Sequence, residues 1–436
     1  MKLYSTNNKD NIVDFEEAIF NSLPQDKGLY MPLEIPRMSD SFIQNMKDLS
    51  FQEIAFDIAK AFLKDTIPAD ELMQIIFEAI NFKAPVVELA DETFALELFH
   101  GPSLAFKDFG ARFMSRIMGY FIEQGEKKLD VLVATSGDTG GAVALGFLRV
   151  SNTRVTILYP KGKVSPIQEL QLTTNAENIR AIEIDGTFDD CQKLVKQAFI
   201  DPELNEKYRL TSANSINIAR LIPQTFYYFN AYAQLLKRGV SEVIFSVPSG
   251  NFGNIGAGIL AWKMGLPVKQ FIAATNMNDT VPLFLETGNY IPKASIQTYS
   301  NAMDVGDPSN WVRIMQMFGG SREELKKIII GYKYTDEQTL DAIKQLYKEN
   351  NYVVCPHTAV AWLGVNEYKK SNPDETARYV FLSTAHPCKF PEIFPEEIAA
   401  EIKIPSQVRD LEGKQKQVAS LAADYAGFKD YLLTAI

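Results

Sequence analysis

The spacing of hydrophobic residues changes part-way along the chain. Within the first ninety residues, Phe51 to Leu63 (FQEIAFDIAKAFL) and Glu71 to Phe82 place apolar positions at helical intervals, and Asp65 with Pro68 breaks the pattern between them. This predicts a small helical region. From Val131 onward the apolar residues gather into short β-branched runs: VLVAT, RVTILYP, IRAIEIDG, YRLTSA, EVIFSVPSG, VKQFIAATN, YVVCP and RYVFLSTA, separated by stretches of helix length. Runs apolar on both faces and alternating with helices belong to parallel sheets covered on both sides. These runs are too many for one sheet of a compact domain, so the predicted class is α/β, with two α/β lobes flanking a cleft. The tail after Pro391 reads as helices, EEIAAEI and KQVASLAADYAGFKDYL, with Pro405 between them. No internal repeat is visible.

Composition narrows the picture. A chain of 436 residues suits about two to three domains, and 46% hydrophobic with 22% charged residues excludes bulk disorder. Lys and Arg (44) against Asp and Glu (54) leave a net charge of -10 with no basic cluster, which argues against nucleic acid or an anionic membrane as partner. Cys191, Cys355 and Cys388 are odd in number and widely spaced, so a disulfide framework is not expected and a reducing compartment is. The opening MKLYSTNNKDNIVDF lacks the apolar stretch of a signal peptide and the Arg-rich bias of a transit peptide, which predicts a cytosolic protein. The longest uncharged run, Val243 to Trp262, could span a bilayer by length. It holds Pro248, Ser249, Asn251, Asn254 and four glycines, and reads as strand, loop and helix.

Five stretches carry candidate chemistry. In VLVATSGDTGGAVALGFL a buried strand leads through Ser136, Gly137, Asp138 and Thr139 into a helix, and small residues there let backbone N–H groups face an anion. EVIFSVPSGNFGNIGAGILAW repeats the arrangement with Gly250, Asn251, Phe252, Gly253 and Asn254. Neither is a P-loop or a dinucleotide fingerprint, and either alone could be a packing or capping turn. In ELFHGPSLAFKDFGARFM, Lys107 stands between Phe106 and Asp108 at a helix start; taken alone it reads first as a surface lysine paired with Asp108, and second as a Schiff-base amine beside aromatic rings. TSANSINIARLIPQ crowds Ser212, Asn214, Ser215, Asn217 and Arg220 after a strand, which suits a phosphate ester or, more plainly, a helix cap with an exposed Arg. RYVFLSTAHPCKFPE ends a strand in Ser383, Thr384 and His386, a hydroxyl source for a heteroaromatic nitrogen or a capped turn. Cys355-Pro-His357 and His386-Pro-Cys388 could be drawn as a zinc site, but their spacing is unlike known ligand pairs and no metal is expected.

Together these residues resemble the threonine synthase family, pyridoxal-phosphate enzymes of fold type II (tryptophan-synthase β-like). HGPSLAFKDFG looks like its Schiff-base segment, TSGDTGGA its substrate loop, SVPSGNFGN its cofactor-phosphate loop and STAHPCKF its pyridine-nitrogen segment, while KLYSTN, VDFEEAIF and GLYMP resemble its N-terminal domain. Three departures stand out: Ser103 for the usual Thr, Cys355 for a common acid, and Cys388 for Ala. The resemblance implies a small N-terminal domain over residues 1–95, a large cofactor-binding lobe over 96–130 and 216–436, and a smaller α/β lobe over 131–215. It further implies that Lys107 carries pyridoxal 5'-phosphate, with Asp138 near the cofactor's phenolic oxygen. Gly250, Asn251, Phe252, Gly253 and Asn254 would hold the cofactor phosphate, and Thr384 would face the ring nitrogen. Ser136, Gly137 and Thr139 would bind substrate, and Ser215, Asn217 and Arg220 its phosphate. The implied reaction converts O-phospho-L-homoserine and water to L-threonine and phosphate, in a monomer or homodimer. A phospho-lyase or dehydratase on the same scaffold is the nearest rival, and a non-catalytic binding homologue the more distant one.

Overall fold

The helical spacing of the early chain becomes the helices Phe51–Leu63 and Ala69–Ala79 in a computed structural model that describes residues 1–123 and 128–435. Ser50 and Glu53 cap the first reciprocally, and its apolar face of Ile54, Ala55, Ile58, Ala59, Phe62 and Leu63 is buried. Pro68 stands just before the second, where a missing N–H removes no intrahelical bond. Beside these helices lies a three-stranded antiparallel sheet of β1 (Lys2–Ser5), β2 (Ile12–Asp14) and β3 (Tyr30–Pro32), in the order β2-β1-β3. Strands this short carry too few alternations to be read from spacing.

The remaining strands are β4 (Val86–Glu88), β5 (Thr93–Glu97), β6 (Leu129–Ala134), β7 (Thr153–Pro160), β8 (Ile179–Asp185), β9 (Arg209–Ser212), β10 (Val243–Pro248), β11 (Val268–Thr275), β12 (Ile329–Lys333), β13 (Arg378–Ser383) and β14 (Val418–Ala422). They form two sheets. One runs β12-β11-β10-β13-β5-β4, parallel except for β4 against β5. The other, β14-β8-β7-β6-β9, is parallel throughout. Every residue of β6 and β10 is buried, which is why they stand out as apolar runs broken only by Asp130 and Ser246.

Several local expectations change. YVVCP is not a strand: it leads into the helix Pro356–Ser371, with Cys355 at the N-cap and Pro356 pre-set for the first turn. KQVASLAADYAGFKDYL is not one helix. Its first part is β14, paired in parallel with β8, and only Tyr425–Ala435 is helical. Small residues such as Ala and Ser weigh little in either periodicity, and β14 is an edge strand with alternating exposure. β12, with Gly331 in its middle, was not anticipated. The pairings also differ from the expected domain ranges. β4 and β5 lie in the six-stranded sheet, so a boundary at residue 95 would cut through β5. The tail returns to the five-stranded sheet, so the range 216–436 serves both lobes. Within 96–130, residues 124–127 lie outside the described part.

The helix Lys107–Glu123 joins the three regions: Arg112 Nε donates to Ala79 O at 2.9 Å, and Ser115 Oγ to Gly146 O at 2.7 Å. Among the described residues no helix is long and apolar enough to cross a membrane. The loops leaving β6 and β13 meet at the Asp138–Lys389 pair and those leaving β9 and β10 at the Ser215–Asn251 bond, all at carboxyl ends of strands, the usual place for a ligand in open α/β sheets.

Candidate active site

Lys107 is held by a short antiparallel contact. Ala105 bridges Ala385, Phe106 N donates to Thr384 O at 2.9 Å, and His386 N to Leu104 O at 3.0 Å. The segment before Lys107 is thus laced to the segment after β13, and Lys107 becomes the first residue of its helix. Its side chain is 16% exposed. It does not pair with Asp108, contrary to the plainer reading of this stretch: Asp108 turns back, fully buried, to accept from Ser103 N at 2.9 Å. Burial lowers the proton affinity of the Lys107 amine; Asp138 opposes that shift, and Lys389 and Arg220 add to it.

Burial pushes the Asp108 carboxyl up to about 6, against the Ser103 hydrogen bond. Because this value lies above the ordinary 3.8, the native state holds a proton that the unfolded state releases between about pH 4 and 6. Stability contributed by the neutral carboxyl is therefore lost as pH rises through that window, by at most about 3 kcal/mol. Asp108→Asn keeps an acceptor for Ser103 N. Its stability relative to the parent is expected to improve by up to that amount from pH 4 to pH 7, as read by urea unfolding. A constant difference across the range would contradict the assignment.

Asp138 opens the helix Asp138–Phe147 after β6. Thr135 Oγ1 accepts from Gly137 N and Gly140 N at 2.9 and 2.8 Å, folding the loop so that Ser136 and Thr139 stay half-buried at the cleft. Gly137, at φ 131°, occupies a conformation that side chains rarely adopt. The Asp138 carboxylate meets two lysines: Oδ1 lies 2.6 Å from Lys389 Nζ and Oδ2 4.0 Å from Lys107 Nζ, while Gln168 Nε2 donates to Oδ1 at 2.9 Å. Burial alone would raise this carboxyl, yet Lys389, Lys107 and Gln168 hold it well below the usual carboxylate range.

After β10 the chain turns through Ser249 to Phe252, which adopts φ 59° and precedes the helix Gly253–Lys263 without any side-chain cap. The first N–H groups of that helix are therefore left for another acceptor. Asn251 Nδ2 donates to Ser215 Oγ at 2.7 Å, and Ser309 N to Asn251 Oδ1 at 2.6 Å. Asn254 Oδ1 accepts from Tyr227 OH and Tyr228 OH at 2.7 and 2.8 Å, while its buried Nδ2 has no partner among the described residues. Thr384, also buried, has its N–H on Thr358 Oγ1 at 3.3 Å, and its hydroxyl has no partner among the described residues.

The Ser/Asn/Arg stretch divides. Ser215 is half-buried and tied to Asn251, so it belongs to the cleft. Asn217 is fully buried: its Nδ2 donates to Ile19 O and Ser22 Oγ at 2.8 and 2.9 Å, and its Oδ1 accepts from Ala219 N. It ties the N-terminal layer to the helix Ile218–Leu221 that carries Arg220. Arg220 is not an exposed residue at a cap; it is 3% exposed, donates from Nη1 to Ala213 O, and leaves Nε without a partner among the described residues. Burial lowers its proton affinity to about 10, with Asp108 opposing, so it stays charged at neutral pH. Five contributors were not foreseen: Lys389, Gln168, Tyr227, Tyr228 and His357. Lys389 lay inside the quoted HPCKF motif, whereas Gln168 and the tyrosines gave no signal beyond ordinary helix composition. His357 Nε2 accepts from Ala302 N at 3.1 Å, and burial keeps it neutral, lowered to about 4.

The chain is similar to proteins of one kind along its whole length. Residues 83–385 match the family described as pyridoxal-phosphate dependent enzyme, residues 2–80 the threonine synthase N terminus, and residues 358–432 the threonine synthase C-terminal region. The curated threonine synthase of Escherichia coli K12 is 43% identical over 433 residues, covering 99% of each chain. The crystal structure of threonine synthase from Escherichia coli superposes with a TM-score of 0.91 at 42% identity, covering 100% of both chains. That of pyridoxal-phosphate-bound threonine synthase from Brucella melitensis superposes with a TM-score of 0.91 at 34% identity, covering 99% of this chain and 98% of that one.

Proposed function

This chain belongs to the threonine synthase family of pyridoxal-phosphate enzymes, and on that premise we propose how its residues share the conversion of O-phospho-L-homoserine and water to L-threonine and phosphate. The observation that carries the reading is Lys107: a mostly buried amine of lowered proton affinity, set by the loop after β13 and facing Asp138 after β6. The other groups suit the same cofactor. An uncapped helix start, the free Nδ2 of Asn254 and the adjoining residues Gly250 to Gly253 fit a phosphate monoester, and the hydroxyl of buried Thr384 suits a ring nitrogen. Asp138 fits beside the phenolic oxygen.

When bound, the cofactor supplies an electron sink for bonds broken at the substrate's α-carbon. The chain supplies proton traffic and orientation. Lys107, once its amine is free, takes the proton from Cα and then one from Cβ as the Cγ–O bond to phosphate breaks; one proton is then delivered to Cγ, water adds its hydroxyl at Cβ and gives its proton to the released phosphate, and the last proton returns to Cα. Its lowered proton affinity keeps more of the amine unprotonated near neutral pH, as a base must be. Backbone N–H groups around Ser136, Gly137 and Thr139 bind the substrate carboxylate. Arg220, with Ser215 on the same stretch, holds the substrate phosphate in line while the two protons move, and Asn217, its amide committed to Ile19, Ser22 and Ala219, fixes the stretch instead of touching phosphate. Buried charge at Arg220 is an anchor ready for an anion, since its Nε is still unpaired. A cytosolic setting is supported by three buried cysteines that remain free thiols.

The direct test is release of threonine and phosphate from O-phosphohomoserine by purified protein; release of a keto acid instead would favour the lyase or dehydratase reading. Losing a charge-assisted contact costs about 1.5–3 kcal/mol, roughly ten- to a hundredfold in binding. Arg220→Ala is accordingly expected to weaken phosphohomoserine by that factor and to leave an amino acid without phosphate nearly unaffected. Equal losses for both ligands would remove the phosphate role from Arg220.

A further inference from the structure

Lys389 is a second amine in the cleft and so far has no part in the reaction. It is 0% exposed, and a charge so buried persists only where it is paired. Its pair crosses between lobes: Lys389 ends the turn Pro387–Lys389 after β13, whereas Asp138 opens the helix after β6. Nζ lies 2.6 Å from Asp138 Oδ1 and donates to Ser103 O at 2.8 Å, the same carbonyl that accepts from Gln171 Nε2 at 3.0 Å. Gln168 takes Oδ1 as well, so the oxygen turned toward Lys107 is Oδ2, at 4.0 Å, beyond hydrogen-bond length.

We propose that Lys389 is a positioning residue for the reaction: it pins the Asp138 carboxylate beside the Lys107 amine at the outer limit of an ion pair and short of a hydrogen bond with it. This rests on Lys107 being the amine that bears the cofactor. Removing Lys389 acts twice in one direction. Asp138 becomes free to close onto Lys107, and a like charge leaves its neighbourhood; both raise the proton affinity of Lys107. The other charged and titratable groups around this pair are Arg220 from the helix Ile218–Leu221, His357 from the helix Pro356–Ser371, His386 and the thiol Cys388 from the segment after β13, the thiol Cys355, and Asp108 on the same helix as Lys107. All of them are unchanged in the test.

The test uses the full chain freed of cofactor and follows its condensation with pyridoxal 5'-phosphate by visible absorbance as a function of pH, then reduces the product with borohydride and maps it. In Lys389→Met the midpoint of the pH–rate profile is expected to rise by about one unit, slowing condensation at pH 7 roughly tenfold. A folded variant that loses only thermal stability, with the midpoint in place, overturns the proposal in favour of a packing role. If Lys389→Met does not fold, Asp138→Asn decides: its midpoint is expected to fall below the parent's, and a midpoint unchanged or raised overturns the coupling through which Lys389 acts. An adduct mapped to another lysine overturns the reading of Lys107 itself, which the other outcomes leave standing.

Discussion

Replacing Lys107 with alanine is expected to abolish turnover and the borohydride-trapped adduct together, with a loss of activity of about a thousandfold or more. The size of the effect follows from how many duties fall on one atom. Nζ is the only amine at the cleft that is both partly exposed and unpaired at hydrogen-bond distance among the described residues; Lys389 is sealed and held by Asp138 and Ser103. No neighbour can take over. Asp138 Oδ2 is the nearest candidate base, but Lys389 and Gln168, which the variant keeps, still hold its proton affinity low. His357 is buried with Nε2 already accepting from Ala302 N. Folding should survive, since the segment is fastened through its backbone by the Ala105–Ala385 bridge rather than through the lysine. Unchanged circular dichroism with no adduct is the expected pair of observations. Residual activity above about a tenth of the parent would show that another group moves the protons.

Gly250→Ala is expected to weaken cofactor binding on the order of a hundredfold. A Cβ at this position would sit 2.5 Å from Met303 Cα and 3.1 Å from Ala302 O, both backbone atoms that a rotamer change cannot relieve. The opposing turn cannot easily retreat. Ala302 N is held by His357 Nε2, Met303 N by Ser300 O, and the adjoining Asp304 carboxylate by Asn276 Nδ2 and Thr298 Oγ1 at 2.9 and 2.7 Å. The loop after β10 must therefore give way, pulling the N–H groups near Phe252 and Gly253 off their target. Loss of about two charge-assisted hydrogen bonds, near 3 kcal/mol, corresponds to that hundredfold. Fluorescence titration with pyridoxal 5'-phosphate gives the affinity directly. Parental affinity in the variant would mean that the loop is not the phosphate cradle.

The long elements of both sheets were legible because they are buried on both faces. β6, β7, β10, β11 and β13 show as apolar runs, and the helix Phe51–Leu63 shows its stripe together with a Ser50/Glu53 cap. What stayed hidden is what spacing cannot encode. β14 is five residues, three of them Ala or Ser, at a sheet edge, and its identity as a strand depends on the partner β8 far away in the chain. The chemistry divides in the same way. Loops such as 136–139 and 250–254 announce themselves because a turn into a helix needs small residues, whereas Lys389 becomes meaningful only when the fold sets it 2.6 Å from Asp138. The depth of Arg220 was likewise invisible, since a guanidinium in a polar stretch reads as exposed until the helix that carries it is packed from every side.

The return of the tail to the five-stranded sheet has a consequence for how the chain emerges during synthesis. β8 is made early, but its outer edge is paired by β14, which follows only after more than half the chain's length. Until then β8 offers unpaired N–H and C=O groups to any neighbouring nascent chain, an invitation to intermolecular strand addition. The apolar face of the helix Phe188–Ile200, whose Leu194 and Ala198 belong to one core with Phe428 and Leu432, waits uncovered for the same interval. A ribosome that stalls or terminates before β14 thus releases a product with a nearly complete cleft and a sticky margin. Quality control on this protein is expected to act on chains that lack β14 and the helix after it, whose absence turns an otherwise assembled enzyme into a seed for aggregation.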